Sequence, residues 1–259
     1  MKRLFTIPCL FLLMTSCQPQ SGKEKGQILD SLSAEGYSLK EEDAGSLDFS
    51  SDKEGPGKLE QRLIAAGLVD VKEVIPEVYV ELKYSTTDNF FEKDVYGEFE
   101  NCYLQPIVAE MLRTAHSFLK EEYPHLTFLI YDGVRPLSVQ QILWDHLDKP
   151  DSVKPLYVAD PKKGSLHNFG VAVDLTLAEA QTGEVLDMGT GYDFFGYPAY
   201  PDREDQMMRE GKITPEQVAN REILRKVMNK AGFQGIGSEW WHFNAFSRKV
   251  AGEKFAMVE

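Results

Sequence analysis

The sequence predicts an α+β fold: a single domain in which a central antiparallel sheet is flanked by helices. Segments with apolar residues at helical spacing come first, and short β-branched or alternating runs between turn residues follow. Helices followed by mostly hairpin-connected strands are typical of this class. The chain has 259 residues. About 200 of them have the composition of a folded domain, which is large enough to need no disulfides.

Four helices are expected where apolar residues recur at helical spacing and turn residues end the pattern, namely at 59–68, 104–124, 137–147 and 214–232. The last begins with Thr214 as N-cap, Pro215 at the first position and Gln217 at the third, and Gly232 follows its end. Strands are expected at 71–85, 126–134, 170–178 and 238–246, with 183–189 as a hairpin partner.

The N-terminus reads as a secretion signal. Lys2 and Arg3 precede an apolar run that is too short for a stable transmembrane span, and small residues then lead to Cys17. The ending resembles a bacterial lipobox, so residues 1–16 are interpreted as a lipoprotein signal peptide and Cys17 as the lipid-anchored first residue. The alternative is an ordinary signal peptide with a coincidental cysteine. Both place the mature protein outside the cytoplasm, and the first places it on a bacterial membrane.

Residues 17–58 are rich in Ser, Gly and charged residues and poor in apolar ones, which predicts a flexible acidic tether before a domain at 59–259. The net charge is −13. An acidic chain without Lys/Arg clusters argues against a nucleic-acid partner, and no protein partner can be inferred. Cys102 has no internal disulfide partner once the signal is removed and is expected to be a small buried side chain.

Three residues could form a catalytic metal site. His167 and Asp174 lie close together in the chain, where a turn at Gly170 can fold one back toward the other, and His242 comes from a distant strand. A catalytic zinc typically takes three such ligands and leaves a position for water. The alternative is a set of structural polar contacts, although an unpaired acid inside the apolar run around Asp174 would be costly.

Two further residues could act beside such a metal. Glu239 precedes His242 by three positions, so a bulge or bend would be needed to bring both to one face of a strand. A carboxylate there could take a proton from water and return it to a leaving amine. Arg135, held by Pro136, could stabilise an oxyanion; the alternative is a surface arginine paired with a carboxylate.

Five ordered motifs resemble one known family. They are LKYSTTDNF (82–90), YDGVRP (131–136), the S-x-H-x-x-G-x-A-x-D pattern (165–174), LDMGTGYDFF (186–195) and EWWHF (239–243). Over roughly residues 70–250 the chain resembles the D-alanyl-D-alanine dipeptidases of the vancomycin-resistance type, within the zinc D,D-peptidases. The resemblance implies a hedgehog/D,D-peptidase-like fold with a zinc site in a cleft. Leu166 and Val134 depart from the family pattern, which affects the expected substrate contacts and not the metal.

The resemblance also implies one zinc ion per chain, bound by His167, Asp174 and His242. Glu239 would be the general base and acid, and Arg135 would stabilise the tetrahedral intermediate. The implied reaction is hydrolysis of the D-Ala-D-Ala dipeptide in cell-wall peptide turnover.

For the substrate itself, the resemblance implies that Asp193 receives the ammonium group together with Tyr84, and that Ser165 donates or accepts a hydrogen bond. The sequence leaves two alternatives open. One is a D,D-carboxypeptidase or endopeptidase acting on longer wall peptides, and the other is a non-catalytic lipoprotein that binds wall peptides.

Overall fold

The computed structural model describes residues 57–259. The predicted signal peptide, Cys17 and nearly all of the tether lie outside this range. The helices are α1 (Lys58–Ala65), α2 (Val71–Val74), α3 (Pro106–Glu122), α4 (Leu137–His146), α5 (Glu204–Arg209), α6 (Pro215–Lys230) and α7 (Arg248–Lys254). The strands are β1 (Val69–Asp70), β2 (Tyr79–Val80), β3 (Tyr103–Leu104), β4 (Leu126–Asp132), β5 (Ala172–Glu179), β6 (Gln234–Ile236) and β7 (Glu239–Asn244).

The main sheet has five strands in the order β2-β4-β5-β7-β6. Strands β4, β5, β7 and β6 pair antiparallel, as predicted. Strand β2 instead runs parallel to β4, so the sheet is mixed at one edge. The physical reason lies in the connection, because α3 carries the chain back between β2 and β4, and parallel strands require such a crossover. Strands β1 and β3 form a separate antiparallel pair.

Helices α3 and α6 pack on each other and cover the sheet, α3 over β4 and α6 over β5. Helix α3 buries Leu112 and Leu119, and α6 buries Leu224 and Val227, in one continuous apolar core. Cys102 is buried in that core as a free thiol, as expected. The α+β class is therefore confirmed. No helix in the described part of the chain combines the length and apolar character needed to cross a membrane.

Two of the predicted strands were too long. Asp70 accepts a hydrogen bond from the backbone N–H of Lys72 and starts the helical turn α2, so only Tyr79–Val80 of the segment 71–85 is a strand. The segment 183–189 contributes a single bridge between Ala178 and Val185. Helix α6 agrees with the prediction, since Thr214 and Gln217 form a capping box.

An ion-pair cluster fixes the segment between β5 and α6. Arg221 is buried on α6 and donates hydrogen bonds to the backbone carbonyls of Met188 and Pro198, at 2.7 and 2.9 Å. Glu204 of α5 accepts from Arg225 at 3.0 and 3.2 Å and lies 3.5 Å from Arg221. Residues 188 and 198 are thereby tied to the helix that covers the sheet.

We expect the variant Arg221→Met, which loses both hydrogen bonds of this buried side chain, to be markedly less stable than the wild type. A hydrogen bond from a charged donor contributes about 1.5–3 kcal/mol, so losing two should lower the free energy of unfolding by about 3 kcal/mol or more. The half-exposed Arg225→Met is the matched control, with an expected loss of about 1 kcal/mol or less. Urea unfolding of both variants, fitted with a common m-value, measures the difference. Equal losses of unfolding free energy in the two variants would contradict the larger contribution assigned to Arg221.

Candidate active site

Three central strands place one row of polar side chains across the sheet. Asp132 of β4 lies opposite Asp174 of β5, and Asp174 lies opposite His242 of β7. Directly opposed residues in antiparallel strands project to the same face of a sheet. The strand register therefore brings two of the three predicted metal ligands together and adds Asp132 beside them.

His167 reaches the same point from a 3₁₀ turn, His167–Phe169, which Gly170 ends with a φ of 65°. This left-handed conformation favours glycine, and it makes the predicted turn. The Nε2 atom of His167 lies 3.1 Å from Nδ1 of His242 and 3.4 Å from Oδ1 of Asp174. Nδ1 of His242 lies 2.9 Å from the same oxygen. The structure thus brings the three predicted ligands into one triangle.

The outer contacts of the two histidines set their tautomers. Nδ1–H of His167 donates to the backbone carbonyl of Gly133 at 2.7 Å, which leaves the lone pair of Nε2 toward the triangle. Nε2–H of His242 donates to Oδ1 of Asn244 at 2.9 Å, which leaves the lone pair of Nδ1 toward it. Ligand histidines are usually oriented in this way. In these tautomers of the neutral rings, three lone pairs converge, which is the state that metal binding requires.

A zinc ion fits this arrangement. Zinc bound tetrahedrally at about 2.0–2.1 Å has ligand atoms about 3.3 Å apart, and the three atoms here are separated by 2.9–3.4 Å. Tyr192 donates its hydroxyl to Oδ2 of Asp174 at 2.9 Å and leaves Oδ1 for the metal. Burial opposes the charge of Asp174, but the positive charge and hydrogen bonds of His167 and His242 in their protonated forms hold the pKa of its carboxyl below its usual value.

Glu239 stands beside the triangle, with Oε2 3.9 Å from Nδ1 of His242. The bulge that this spacing requires is present. Gly235 pairs with Phe243, but the next residue of β6, Ile236, pairs with Glu239. Burial raises the pKa of the Glu239 carboxyl above its usual value. A carboxylate with a raised pKa, next to three metal ligands without being one itself, is suited to accept and return a proton.

Arg135 is buried and lines the same cleft. Its Nε and Nη2 atoms donate to Oδ2 of Asp132 at 3.0 and 2.6 Å, and Nη1 donates to Oε1 of Gln140 at 3.2 Å. Burial alone lowers the pKa of the guanidinium, yet the charge of Asp132 holds that pKa well above its usual value. The arginine pairs a carboxylate, as the alternative interpretation proposed, but it does so inside the cleft. Two of its five N–H groups remain for a ligand.

The three expected substrate residues also line this cleft, whose volume is about 310 Å³. The hydroxyl of Tyr84 donates to Oδ2 of Asp193 at 3.1 Å. Asp193 has a φ of 57°, a left-handed conformation that Asp tolerates better than most residues. Burial raises the pKa of its carboxyl well above the usual value, and the charge of Asp174 raises it further. Ser165 accepts a hydrogen bond from the backbone N–H of His167 at 3.3 Å.

Sequence reasoning missed the residues that orient the others. Asp132, Tyr192 and Asn244 each bond to a predicted site residue. Asp132 and Tyr192 do lie within two of the recognised motifs, Asp132 three positions before Arg135 and Tyr192 directly before Asp193. Asn244 has a weaker signal, being two positions after His242 and therefore on the same face of a strand.

Comparison with known proteins agrees with this geometry. Residues 64–258 match the Peptidase M15 family model, described as D-Ala-D-Ala dipeptidase. The D-alanyl-D-alanine dipeptidase of Escherichia coli K12 is 36% identical over 176 residues, covering 68% of this chain and 83% of that protein. The corresponding protein of Enterococcus faecalis V583 is 30% identical over 191 residues, covering 68% and 90%.

A more distant solved structure, VanYB in complex with D-alanine-D-alanine, superposes with a TM-score of 0.35 at 14% identity, over 64% of this chain and 87% of that one. A likeness of this size carries no weight beside the family match. On the family model and the curated relatives, the chain belongs to the Peptidase M15 family of D-Ala-D-Ala dipeptidases.

Proposed function

We propose that this chain is a zinc metallopeptidase that hydrolyses the D-Ala-D-Ala dipeptide. The observation that supports this most is the triangle of lone pairs from His167, Asp174 and His242 with Glu239 beside it. A zinc ion held there supplies a Lewis acid for the scissile carbonyl and lowers the pKa of water from about 15.7 toward about 7. The chain supplies the proton transfer, the oxyanion contact and the recognition of the substrate.

Glu239 takes a proton from the attacking water and later delivers it to the leaving amine nitrogen. Its raised pKa favours the first of these transfers, because a carboxylate with a higher pKa is the stronger base toward water. Arg135 directs its two unused N–H groups at the carbonyl oxygen as negative charge develops there. Such a prearranged donor contributes about 3–4 kcal/mol to the transition state. Asp132 and Gln140 hold the guanidinium in place.

Asp193 and Tyr84 receive the ammonium group of the dipeptide. A buried carboxyl whose pKa is raised regains its charge when a cation binds next to it. A longer peptide has an uncharged amide at that position, and it would leave Asp193 without a counter-charge. The complex with a longer wall peptide would therefore contain an uncompensated charge on Asp193, and this favours dipeptides. The presence of both Glu239 and Arg135 in the cleft argues against a non-catalytic binding protein.

We place this activity outside the cytoplasm, on a bacterial membrane, with Cys17 as the lipid anchor. The support is the sequence of residues 1–17 alone: two basic residues, an apolar run and small residues before the cysteine. An enzyme held there meets dipeptides released from the wall rather than the cytoplasmic precursor pool. Its role is then turnover of wall-derived peptides.

Replacing Glu239 by Gln tests the reaction. We expect the rate of D-Ala-D-Ala hydrolysis, measured as the release of free D-Ala, to fall by about 10²–10⁴-fold because the general base is lost. The zinc content, measured by atomic emission, should stay near one per chain since Glu239 is not a ligand. The exposed Glu184→Gln is the control and should keep full activity. A Glu239→Gln variant that stays active would contradict the assigned role, and an inactive zinc-loaded wild type would contradict the function.

Asp193→Asn tests the selection of dipeptides. Asn tolerates the left-handed conformation at this position and keeps the volume, so only the charge is lost. We expect kcat/KM for D-Ala-D-Ala to fall about 10- to 100-fold, while the value for N-acetyl-D-Ala-D-Ala changes little. Tyr84→Phe, which loses only the hydroxyl, should give a smaller loss in the same direction. If Asp193→Asn leaves the ratio of kcat/KM for the two substrates unchanged, this role for Asp193 is ruled out.

Lipid attachment is tested by Cys17→Ser. Cells expressing the wild type and labelled with radioactive palmitate should show a labelled, membrane-bound protein, and the variant should lose both properties. Cys9→Ser, inside the predicted signal, is the matched control and should remain labelled. An unlabelled, freely secreted wild type would instead support the ordinary signal peptide.

A further inference from the structure

A second arginine lines the cleft without a carboxylate partner. Arg248 is the first residue of α7, and it is exposed at the edge of the cavity that holds Glu239 and Asp193. Its Nη1 and Nη2 atoms donate to the backbone carbonyls of Lys163 and Gly164, at 2.7 and 2.8 Å. Within residues 57–259, no ion pair joins Arg248 to an acidic side chain. Three of its five N–H groups remain unused.

The position of this guanidinium is fixed relative to the metal ligands. The two carbonyls that it contacts lie immediately before Ser165, and His167 follows. Helix α7 is itself anchored, because Ser247 caps its first turn and Ala251 is fully buried. Arg248 is therefore arranged beside the ligand segment rather than free to move through solvent.

The charges around the cleft suggest what Arg248 meets. Asp174 and Glu239 face the metal position, and Asp193 is proposed to bind the ammonium group of the substrate. The charge of Arg135 is already balanced by Asp132. Arg248 is thus a cation without a counter-charge, on the wall next to Ser165, whereas Asp193 contacts Tyr84 on another wall. A dipeptide is a zwitterion, and a guanidinium fork matches the geometry of a carboxylate.

We propose that Arg248, together with the Ser165 hydroxyl, binds the free C-terminal carboxylate of the substrate. Ser165 accepts from the N–H of His167, so its own proton can be donated into the cleft. The proposal rests on the proposed function and extends it. Asp193 selects the free ammonium and Arg248 the free carboxylate, so that both ends of a dipeptide are recognised by charge.

The test compares D-Ala-D-Ala with D-Ala-D-alaninamide, which lacks the carboxylate charge. In the zinc-loaded wild type we expect the amide to be the poorer substrate. Arg248→Gln should lower kcat/KM for D-Ala-D-Ala about 10- to 100-fold, the range expected for losing a charged hydrogen-bond donor, and leave the amide nearly unchanged. Arg248→Lys should restore part of the preference. The adjacent exposed Lys249→Gln is the control and should behave as the wild type.

The ratio of kcat/KM for the two substrates distinguishes carboxylate binding by Arg248 from a purely structural role. If Arg248 only supports the turn at 163–164, Arg248→Gln lowers both activities equally, and that result would overturn the proposal. Calorimetric binding of both compounds to the Glu239→Gln protein, with and without Arg248→Gln, gives a readout independent of turnover. A wild type that hydrolyses neither compound contradicts the proposed function, while carboxylate-dependent binding lost only with Arg248→Gln would still support the role of Arg248.

Discussion

The register of β4, β5 and β7 is the constraint on which the rest of the site depends. It aligns Asp132, Asp174 and His242 in one row on one face. A slip of one residue in either pairing would turn the slipped strand's side chains to the opposite face of the sheet. The chain neighbours of Asp174, Val173 and Leu175, are fully buried on the other face of the sheet and make such a slip costly. Packing of the core thus fixes the position of the reacting groups.

The turn after β4 contacts both His167 and Arg135. Asp132 is fully buried, and its Oδ1 accepts from the Tyr96 hydroxyl and the N–H of Gly133 while Oδ2 holds Arg135. The carbonyl of Gly133 in turn orients His167. A Cβ at position 133 would lie 2.5 Å from Sγ of Cys102, so the turn has room only for glycine. One short segment therefore positions both His167 and Arg135.

The sequence was informative where the signal is local. The pairing of His167 with Asp174, the need for a bulge before His242 and the capped helix α6 could each be predicted from a few neighbouring residues. The pairing of Asp193 with Tyr84 followed only from the resemblance, because the two are distant in the chain. The parallel edge strand could not be predicted, since it depends on where α3 returns the chain. The contacts of Arg221 are equally nonlocal.

Those contacts of Arg221 explain how an irregular loop can hold Asp193, the residue proposed to bind the ammonium group, in one place. Asp193 lies in a left-handed conformation outside regular structure, and such a conformation persists only where the surrounding structure imposes it. Arg221 holds a backbone carbonyl on either side of it, at Met188 and Pro198, and α5 adds the Glu204 pair. With both ends tied to α6, which packs on the sheet bearing Asp174, the distance between the metal triangle and Asp193 is restricted. Under the proposed role of Asp193, this restricted distance sets the length of substrate that the cleft accepts.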